Sequence, residues 1–280
     1  MKLDCHYHLG RSYSSKGRDF HREKTTVEST LEYIQKEKLT HLVVLYVKEE
    51  RELVRDLINK TSIKIYPFIW LKELSIDEID FNIDRGIKLH GLRTDYEIDS
   101  HKVYKLYSQL PSNFMVLAHT QGSTSHLNKN CPTSFVKGAI KFSKLKFIIG
   151  HSGDFGFLSW EAGKKEVNQE KILKYKFQSE VKRQLVLSAC RYAKKFENVL
   201  TENSSFWPAI EAMKWKGEFL WNEAGDKWCF GSDIPFSWGN PMIVGIGRQE
   251  YYLKRYLPFI TQEDINKIHE NGINFLEKEL

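Results

Sequence analysis

The sequence predicts an α/β protein whose 280 residues form a single (β/α)8 barrel. Three observations support this fold class. Short apolar segments alternate with amphipathic segments along the chain, there are eight of the apolar segments, and the length is typical of a one-domain barrel. A doubly wound open sheet is the alternative, but it usually has fewer strands, and no G-x-G-x-x-G motif follows the first apolar segment. We therefore expect residues 1–280 to form one domain.

The eight apolar segments are rich in Val, Ile, Leu and Phe, which indicates buried strands of a parallel sheet. They lie near residues 2–7, 41–47, 63–69, 86–91, 114–119, 146–151, 198–203 and 228–233. Most successive segments are roughly 20–40 residues apart, as βαβ units require. The longest connection has its extra residues at about 152–175, directly after a strand. In a barrel, such a loop frames the functional face.

The segments between the strands are predicted helices. Thr25 and Glu28 have the spacing of a capping box at the start of the first helix. Ser100 is a predicted N-cap for a helix over 100–110. The other helices are predicted by their apolar periodicity at 49–60, 133–144, 179–196, 205–216, 242–256 and 262–278.

The composition excludes several classes of protein. With 41% hydrophobic and 28% charged residues, the chain is typical of a folded domain. Its net charge of +6 comes from scattered lysines rather than from a basic stripe interleaved with aromatics, so we expect no nucleic-acid partner. A mild positive field could still attract an anionic small-molecule substrate. No apolar stretch has the length of a bilayer span and no signal peptide precedes the first strand, so we expect no membrane partner.

The cysteines indicate a reducing compartment. The four of them are irregularly spaced and form no C-x-x-C pair, at Cys5, Cys131, Cys190 and Cys229. This pattern favours reduced thiols in the cytoplasm over a disulfide framework. The sequence is also compatible with a homo-oligomer.

Side chains that can bind a metal fall at the ends of four predicted strands. His6 and His8 are two residues apart on the first strand, so they face the same side. His119 ends the fifth strand, His151 the sixth and Asp233 the eighth. A barrel draws its functional residues from these strand ends. One such residue alone is more often structural, but the repeated pattern predicts a joint metal site.

Six segments along the chain resemble a known family. They are LDCHYHLG, GIKLHG, FMVLAHTQG, LKFIIGHSGDFG, WCFGSDIPF and the closing INKIHENGINFLEK. Together they resemble the amidohydrolase superfamily, and within it the amidohydrolase-related branch that includes aminocarboxymuconate semialdehyde decarboxylase. The H-x-H and GSD-x-P elements, in this order, are the most specific part of the resemblance.

The resemblance implies that His6, His8 and His119 bind one divalent metal ion, with Asp233 as a further ligand or a nearby base. Zinc suits these donors. In mononuclear relatives, the residue that matches His151 stays off the metal and polarises the water or the substrate. In binuclear relatives it ligates a second ion, often with a carboxylated lysine on the fourth strand.

Four further residues are candidate substrate contacts. Trp70 follows the third strand, Lys88 and His90 lie on the fourth, and Arg93 follows it. Lys88 could be the bridging lysine of a binuclear site, but we favour a structural or substrate contact because His90 lies nearer the strand end. Arg93 could bind a carboxylate through two hydrogen bonds, and a surface salt bridge is the alternative.

The resemblance implies a metal-dependent hydrolase of a C–O or C–N bond, of the lactone, ester or amide type, that uses a metal-activated water. Asp233 would pass the proton to the leaving group, and His151 would assist. A non-oxidative decarboxylase is the alternative, since the branch contains both activities on the same ligands. An inactive metal-binding barrel is a more distant alternative, against which the complete ligand set argues.

Overall fold

The computed structural model of the protein describes residues 1–10, 25–90, 96–120, 131–151, 184–204, 227–234 and 245–280. Eight strands form one parallel sheet in chain order, at β1 Leu3–His8, β2 His41–Tyr46, β3 Lys64–Trp70, β4 Gly86–His90, β5 Met115–His119, β6 Lys146–Gly150, β7 Val199–Glu202 and β8 Trp228–Cys229. A parallel bridge joins Tyr7 to Ile234, and Cys5 N donates to Phe230 O. These contacts close the sheet into the predicted (β/α)8 barrel.

Helices connect the strands on the outside of the barrel. Their bounds are Val27–Glu37, Arg51–Lys60, His101–Tyr107, Pro132–Lys141, Ile246–Tyr256 and Gln262–Glu277, with 3-10 turns at Lys48–Glu50 and Ile76–Glu78 and helical residues at 184–195. Ser100 caps its helix as predicted, because its side chain accepts from Val103 N. The predicted helix at 205–216 and the long loop at about 152–175 lie outside the described residues.

The first helix begins one residue later than the sequence pattern predicts. Its N-cap is Thr26, which forms a capping box with Ser29. The predicted pair of Thr25 and Glu28 was therefore wrong. The Thr25 hydroxyl instead donates to the carbonyl oxygen of His8 at 2.6 Å, a contact that ties the helix entry to the end of β1. Local spacing does not reveal this competing partner.

Two apolar clusters form the core. The larger one lies between the strands and the surrounding helices and includes Val44 and Leu57. The smaller one gathers inward-facing side chains from seven of the eight strands and from the last helix, at Leu3, Cys5, Val43, Leu45, Phe68, Met115, Leu117, Ile148, Leu200, Cys229, Ile273, Phe275 and Leu276. The last helix therefore closes the N-terminal end of the barrel, and the opposite end is left for the polar side chains.

No disulfide bond joins the four cysteines, all of which lie among the described residues. Cys5, Cys190 and Cys229 are buried, where a thiol packs as a small apolar group. In the parts of the chain that the structure covers, no helix is both long and apolar enough to cross a bilayer.

Candidate metal centre

Five side chains from four strands converge at the C-terminal end of the barrel. They belong to His6 and His8 on β1, His119 on β5, His151 just after β6 and Asp233 just after β8. All five are buried. Their donor atoms form two groups of three in which all atoms lie within 4.8 Å of one another, and His6 belongs to both groups. The structure thus brings together all five residues that the strand-end pattern singled out.

The distances between donor atoms fit a divalent ion. Asp233 Oδ1 lies 3.4 Å from His6 Nε2 and also 3.4 Å from His8 Nε2. Two ligand atoms at 2.0–2.1 Å from a tetrahedral zinc ion are about 3.4 Å apart. In the second group, His119 Nε2 and His151 Nε2 are 2.6 Å apart. This distance is shorter than that between two ligands of one zinc ion and fits a hydrogen bond between the rings, and whether His151 is a ligand or a catalyst stays a prediction.

His151 and Asp233 share an unusual backbone conformation. Their φ angles are 52° and 58°, in the left-handed region that non-glycine residues seldom adopt. His151 N donates to Glu202 Oε1 at 2.6 Å, and Asp233 N donates to His6 O at 2.6 Å. These two hydrogen bonds stabilise the turns that bring both side chains to the barrel mouth. A left-handed backbone conformation of a non-glycine residue is strained, and it is found where neighbouring contacts stabilise it, often at functional sites.

The charge states suit metal binding. Burial lowers the pKa of His6 and of His119, and the nearby Lys88 amine lowers both further. Burial by itself would raise the pKa of Asp233, but His151 and the neighbouring imidazoles outweigh it and hold that pKa below its ordinary value. At neutral pH the site therefore contains neutral imidazoles on these two residues and an ionised carboxylate, which are the forms that bind metal ions.

An irregularity in β1 presents the histidine pair. The pairing of β1 with β2 shifts register between Asp4 and Tyr7, as in a β-bulge. Asp4 Oδ1 accepts from His6 N at 3.0 Å and from Ser232 N at 2.9 Å, which ties this bulge to the segment after β8. Tyr33 OH donates to Asp4 Oδ2 at 2.8 Å. Burial raises the pKa of Asp4 to about 6 despite these hydrogen bonds.

Lys88 reaches the centre of the site. Its Nζ lies 2.8 Å from His6 Nε2, and the side chain is fully buried. Although Lys88 precedes the strand end by two residues, its long side chain spans that distance, which strand-end position alone does not predict. Its place beside a candidate ligand fits an anion-binding ammonium as well as a metal bridge, so its role stays a prediction.

The other candidate substrate contacts are partly assembled on the same side. The rings of Trp70 and His90 are stacked, with centroids 5.6 Å apart and planes 8° from parallel. His90 lies 4.3 Å from the ring of His119, and Trp70 lies 5.9 Å from the ring of His8. These aromatic rings form a wall beside the candidate metal ligands. Arg93 lies outside the described residues.

Sequence reasoning missed two residues of the site. Glu202, the last residue of β7, is fully buried, and its Oε1 lies 2.7 Å from His6 Nδ1. Ser204 Oγ lies 2.8 Å from His151 Nδ1. A signal was present for Glu202, because it lies within a predicted strand, near its carboxyl end, as Asp233 does on the eighth.

Comparisons with known proteins bear on the fold. No protein-family model matches the chain, and no curated protein matches it. Among solved structures, a probable 2-pyrone-4,6-dicarboxylic acid hydrolase from Acinetobacter baumannii with citric acid bound is similar at a TM-score of 0.60 and 14% identity, covering 99% of both chains. An amidohydrolase from Burkholderia multivorans with zinc bound has a TM-score of 0.66 and 11% identity, covering 98% of both chains.

A third similar structure is IDCase from Metarhizium anisopliae in the apo form, with a TM-score of 0.54 and 12% identity, covering 100% of this chain and 98% of the other. The neighbours are barrels of the amidohydrolase superfamily, the superfamily that the sequence resembles. At these identities, the likeness establishes the architecture alone. The chain therefore has the (β/α)8 barrel fold that these amidohydrolase-superfamily enzymes share.

Proposed function

We propose that the protein is a metal-dependent hydrolase that cleaves a C–O or C–N bond of the lactone, ester or amide type. The observation that carries this proposal is the convergence of four buried histidines and one buried carboxylate at the mouth of the barrel. Imidazole nitrogens and a carboxylate oxygen that converge in this way are the donors that zinc and similar divalent ions bind. Hydrolases among the structural neighbours support the same chemistry.

We propose that the cluster binds one divalent ion and that this ion is zinc, with His6 as the residue shared by its two groups of donor atoms. Nε2 of His6, His8 and His119 would bind it, together with a carboxylate oxygen of Asp233. Imidazole and carboxylate donors suit zinc, and one of the similar barrels was crystallised with zinc bound. When bound, such an ion polarises a substrate carbonyl and lowers the pKa of a coordinated water to about 7. A second ion held by His151 is the alternative stoichiometry.

Asp233 and His151 have different tasks in this proposal. The Asp233 carboxylate is ionised, so it can accept the proton of the attacking water and return it to the leaving group. His151 Nδ1 donates to the carbonyl oxygen of Ser204 at 2.9 Å, which leaves the lone pair on Nε2, facing the site. His151 Nε2 can therefore act as a hydrogen-bond acceptor at the site.

The substrate we propose is a small anionic molecule with a flat group. The Lys88 amine lies beside the candidate ligands, where it could pair with an anionic group, and the stacked rings of Trp70 and His90 offer a flat wall. Of the similar structures, one holds citric acid and another holds HEPES. An excess of positive charge over the chain would favour the approach of such a substrate.

A non-oxidative decarboxylase is the second candidate. A decarboxylase-like enzyme, IDCase, is among the similar structures. The Lys88 ammonium could hold a substrate carboxylate at the same centre, and the metal-binding residues serve either reaction. A catalytically inactive barrel is the third candidate, but it would have no need of all five converging side chains.

Metal analysis and product analysis together test the proposal. Purified protein should contain about one equivalent of zinc per chain, and the double variant His6→Ala/His8→Ala should contain almost none. Full metal content in that variant would overturn the assignment. Lactones, esters, amides and carboxylated aromatics should then be screened with zinc-loaded protein. Release of acid without CO2 supports the hydrolase, whereas release of CO2 replaces it with the decarboxylase.

A further inference from the structure

The Glu202 carboxylate accepts four hydrogen bonds at the base of the site. Its Oε1 accepts from His6 Nδ1 at 2.7 Å, from His151 N at 2.6 Å and from Ser204 Oγ at 2.9 Å. Its Oε2 accepts from Ser204 N at 2.6 Å. The side chain is fully buried, so these donors take the place of water around the charge.

The contact with His6 decides which ring nitrogen carries the proton. Both oxygens of Glu202 already accept from the N–H and O–H groups of His151 and Ser204, so at 2.7 Å His6 Nδ1 is the donor. A neutral imidazole has one N–H, and its lone pair is therefore on Nε2. Nε2 is the atom that faces Asp233 Oδ1, at 3.4 Å, and the Lys88 amine, at 2.8 Å. Glu202 thus turns the metal-binding nitrogen of His6 toward the centre.

The same carboxylate acts on His151 through Ser204. Because Ser204 Oγ donates its proton to Glu202 Oε1, its lone pairs are left to accept from His151 Nδ1 at 2.8 Å. The carbonyl oxygen of Ser204 also accepts from this nitrogen, at 2.9 Å. Both contacts place the proton of a neutral His151 on Nδ1. In the metal-free protein, its Nε2 then accepts from His119 Nε2, 2.6 Å away, and His119 Nε2 becomes available to a metal when that proton moves to Nδ1 of the same ring.

We propose that Glu202 is a positioning residue that sets the tautomer and orientation of His6 directly and of His151 through Ser204. The inference rests on the proposed metal-dependent function, which gives the two Nε2 lone pairs their purpose. Carboxylates that hold a ligand imidazole in this way raise its basicity, and their loss typically weakens metal binding 10–100-fold.

A neutral amide in place of this carboxylate would lose at least one of its hydrogen bonds. Both oxygens of Glu202 face N–H or O–H donors, so the NH2 group of a glutamine would oppose one of them. The surroundings also prevent the side chain from moving aside. A methyl group at Gly231 would lie 2.6 Å from Glu202 Oε2, which shows how closely the backbone after β8 packs against it.

Zinc affinity of Glu202→Gln tests the proposal against a matched control. We expect Glu202→Gln to bind zinc 10–100-fold more weakly than wild type, in a competition assay with a chromophoric chelator. Glu250→Gln is the control, because Glu250 also contacts a buried imidazole, His269 Nε2 at 3.0 Å, but in the packing of the last helix. It should bind zinc as wild type does. Wild-type affinity in folded Glu202→Gln would overturn the proposal.

A second measurement needs no variant at Glu202. In metal-free protein labelled with 15N-histidine, the side-chain nitrogen shifts of His6 and His151 should show Nδ1–H tautomers, with assignments from His6→Gln and His151→Asn. Nε2–H tautomers would overturn the positioning role even if Glu202→Gln failed to fold. If wild type bound no zinc, the proposed function would fail, whereas the tautomers would still decide the role of Glu202.

Discussion

Gly231→Ala is a steric perturbation aimed at the centre of the site. A Cβ atom at this position would lie 2.6 Å from Glu202 Oε2, 2.7 Å from His6 Cβ and 3.0 Å from Ser204 Cβ. Gly231 does not have a positive φ angle, so the alanine meets no backbone strain and the effect is one of packing alone. The new methyl group therefore presses on a candidate ligand and on the carboxylate that orients it.

The magnitude follows from these distances. Carbon atoms in contact are about 3.5–4.0 Å apart, so the new methyl and His6 must separate by roughly 0.8 Å or more. An added methyl group in a packed interior typically costs about 1–3 kcal/mol of unfolding free energy. A shift of this size also exceeds the tolerance of about 0.5 Å within which a metal site retains its geometry. We therefore expect lower stability together with at least a tenfold loss of zinc affinity.

Urea unfolding of the metal-free protein and zinc competition measure the two effects separately. Gly247→Ala is the matched control, because its Cβ would lie 3.0 Å from Glu37 Oε2, at the end of a side chain that belongs to the first helix and not to the site. It should bind zinc as wild type does, and any loss of stability should come only from the shift of the Glu37 carboxylate that Gly247 N holds at 2.8 Å. Wild-type stability and zinc affinity in Gly231→Ala would refute the close packing argued for this site.

Three further predictions concern separate parts of the molecule. His151→Asn should lower turnover by about 10²–10⁴-fold with metal content near that of wild type; loss of metal in parallel with activity would make His151 a ligand. Lys146 is buried and donates to Phe275 O at 2.8 Å and Leu276 O at 3.1 Å. Lys146→Met should therefore lower the free energy of unfolding, measured with urea, by about 2–4 kcal/mol. The control is Lys144→Met at an exposed position, and equal stability of the two variants would contradict the prediction. Burial lowers the pKa of His269 below 6.5 despite its contact with Glu250, so the unfolded chain binds the proton more readily. The stability that neutral His269 contributes is fully present above pH 6.5 and is lost as the pH falls below it. Between pH 7 and pH 5, the free energy of unfolding should therefore fall less in His269→Gln than in wild type.

The strands and the strand-end residues were predictable because their signals are local. Burial on both faces requires a continuous apolar run, and the parallel arrangement puts all carboxyl ends on one face of the barrel. His119 as the last residue of an apolar run therefore sufficed to place its side chain near those of β1. The pair His6 and His8 was predictable from strand alternation, and both imidazoles face the site although the register of β1 with β2 shifts between Asp4 and Tyr7.

Only the tertiary structure decided which distant parts of the chain are in contact. His6 and Glu202 are 196 residues apart, and their hydrogen bond exists only because the barrel closes. The long Lys88 side chain reaches the centre from below the strand end, and Thr25 bonds to β1 instead of capping its helix. Periodicity reports which way a side chain faces, whereas proton position and hydrogen-bond partner depend on atoms that closure brings within 3 Å. The sequence by itself therefore determined the barrel and the set of candidate ligands, and the fold determined how these ligands are held.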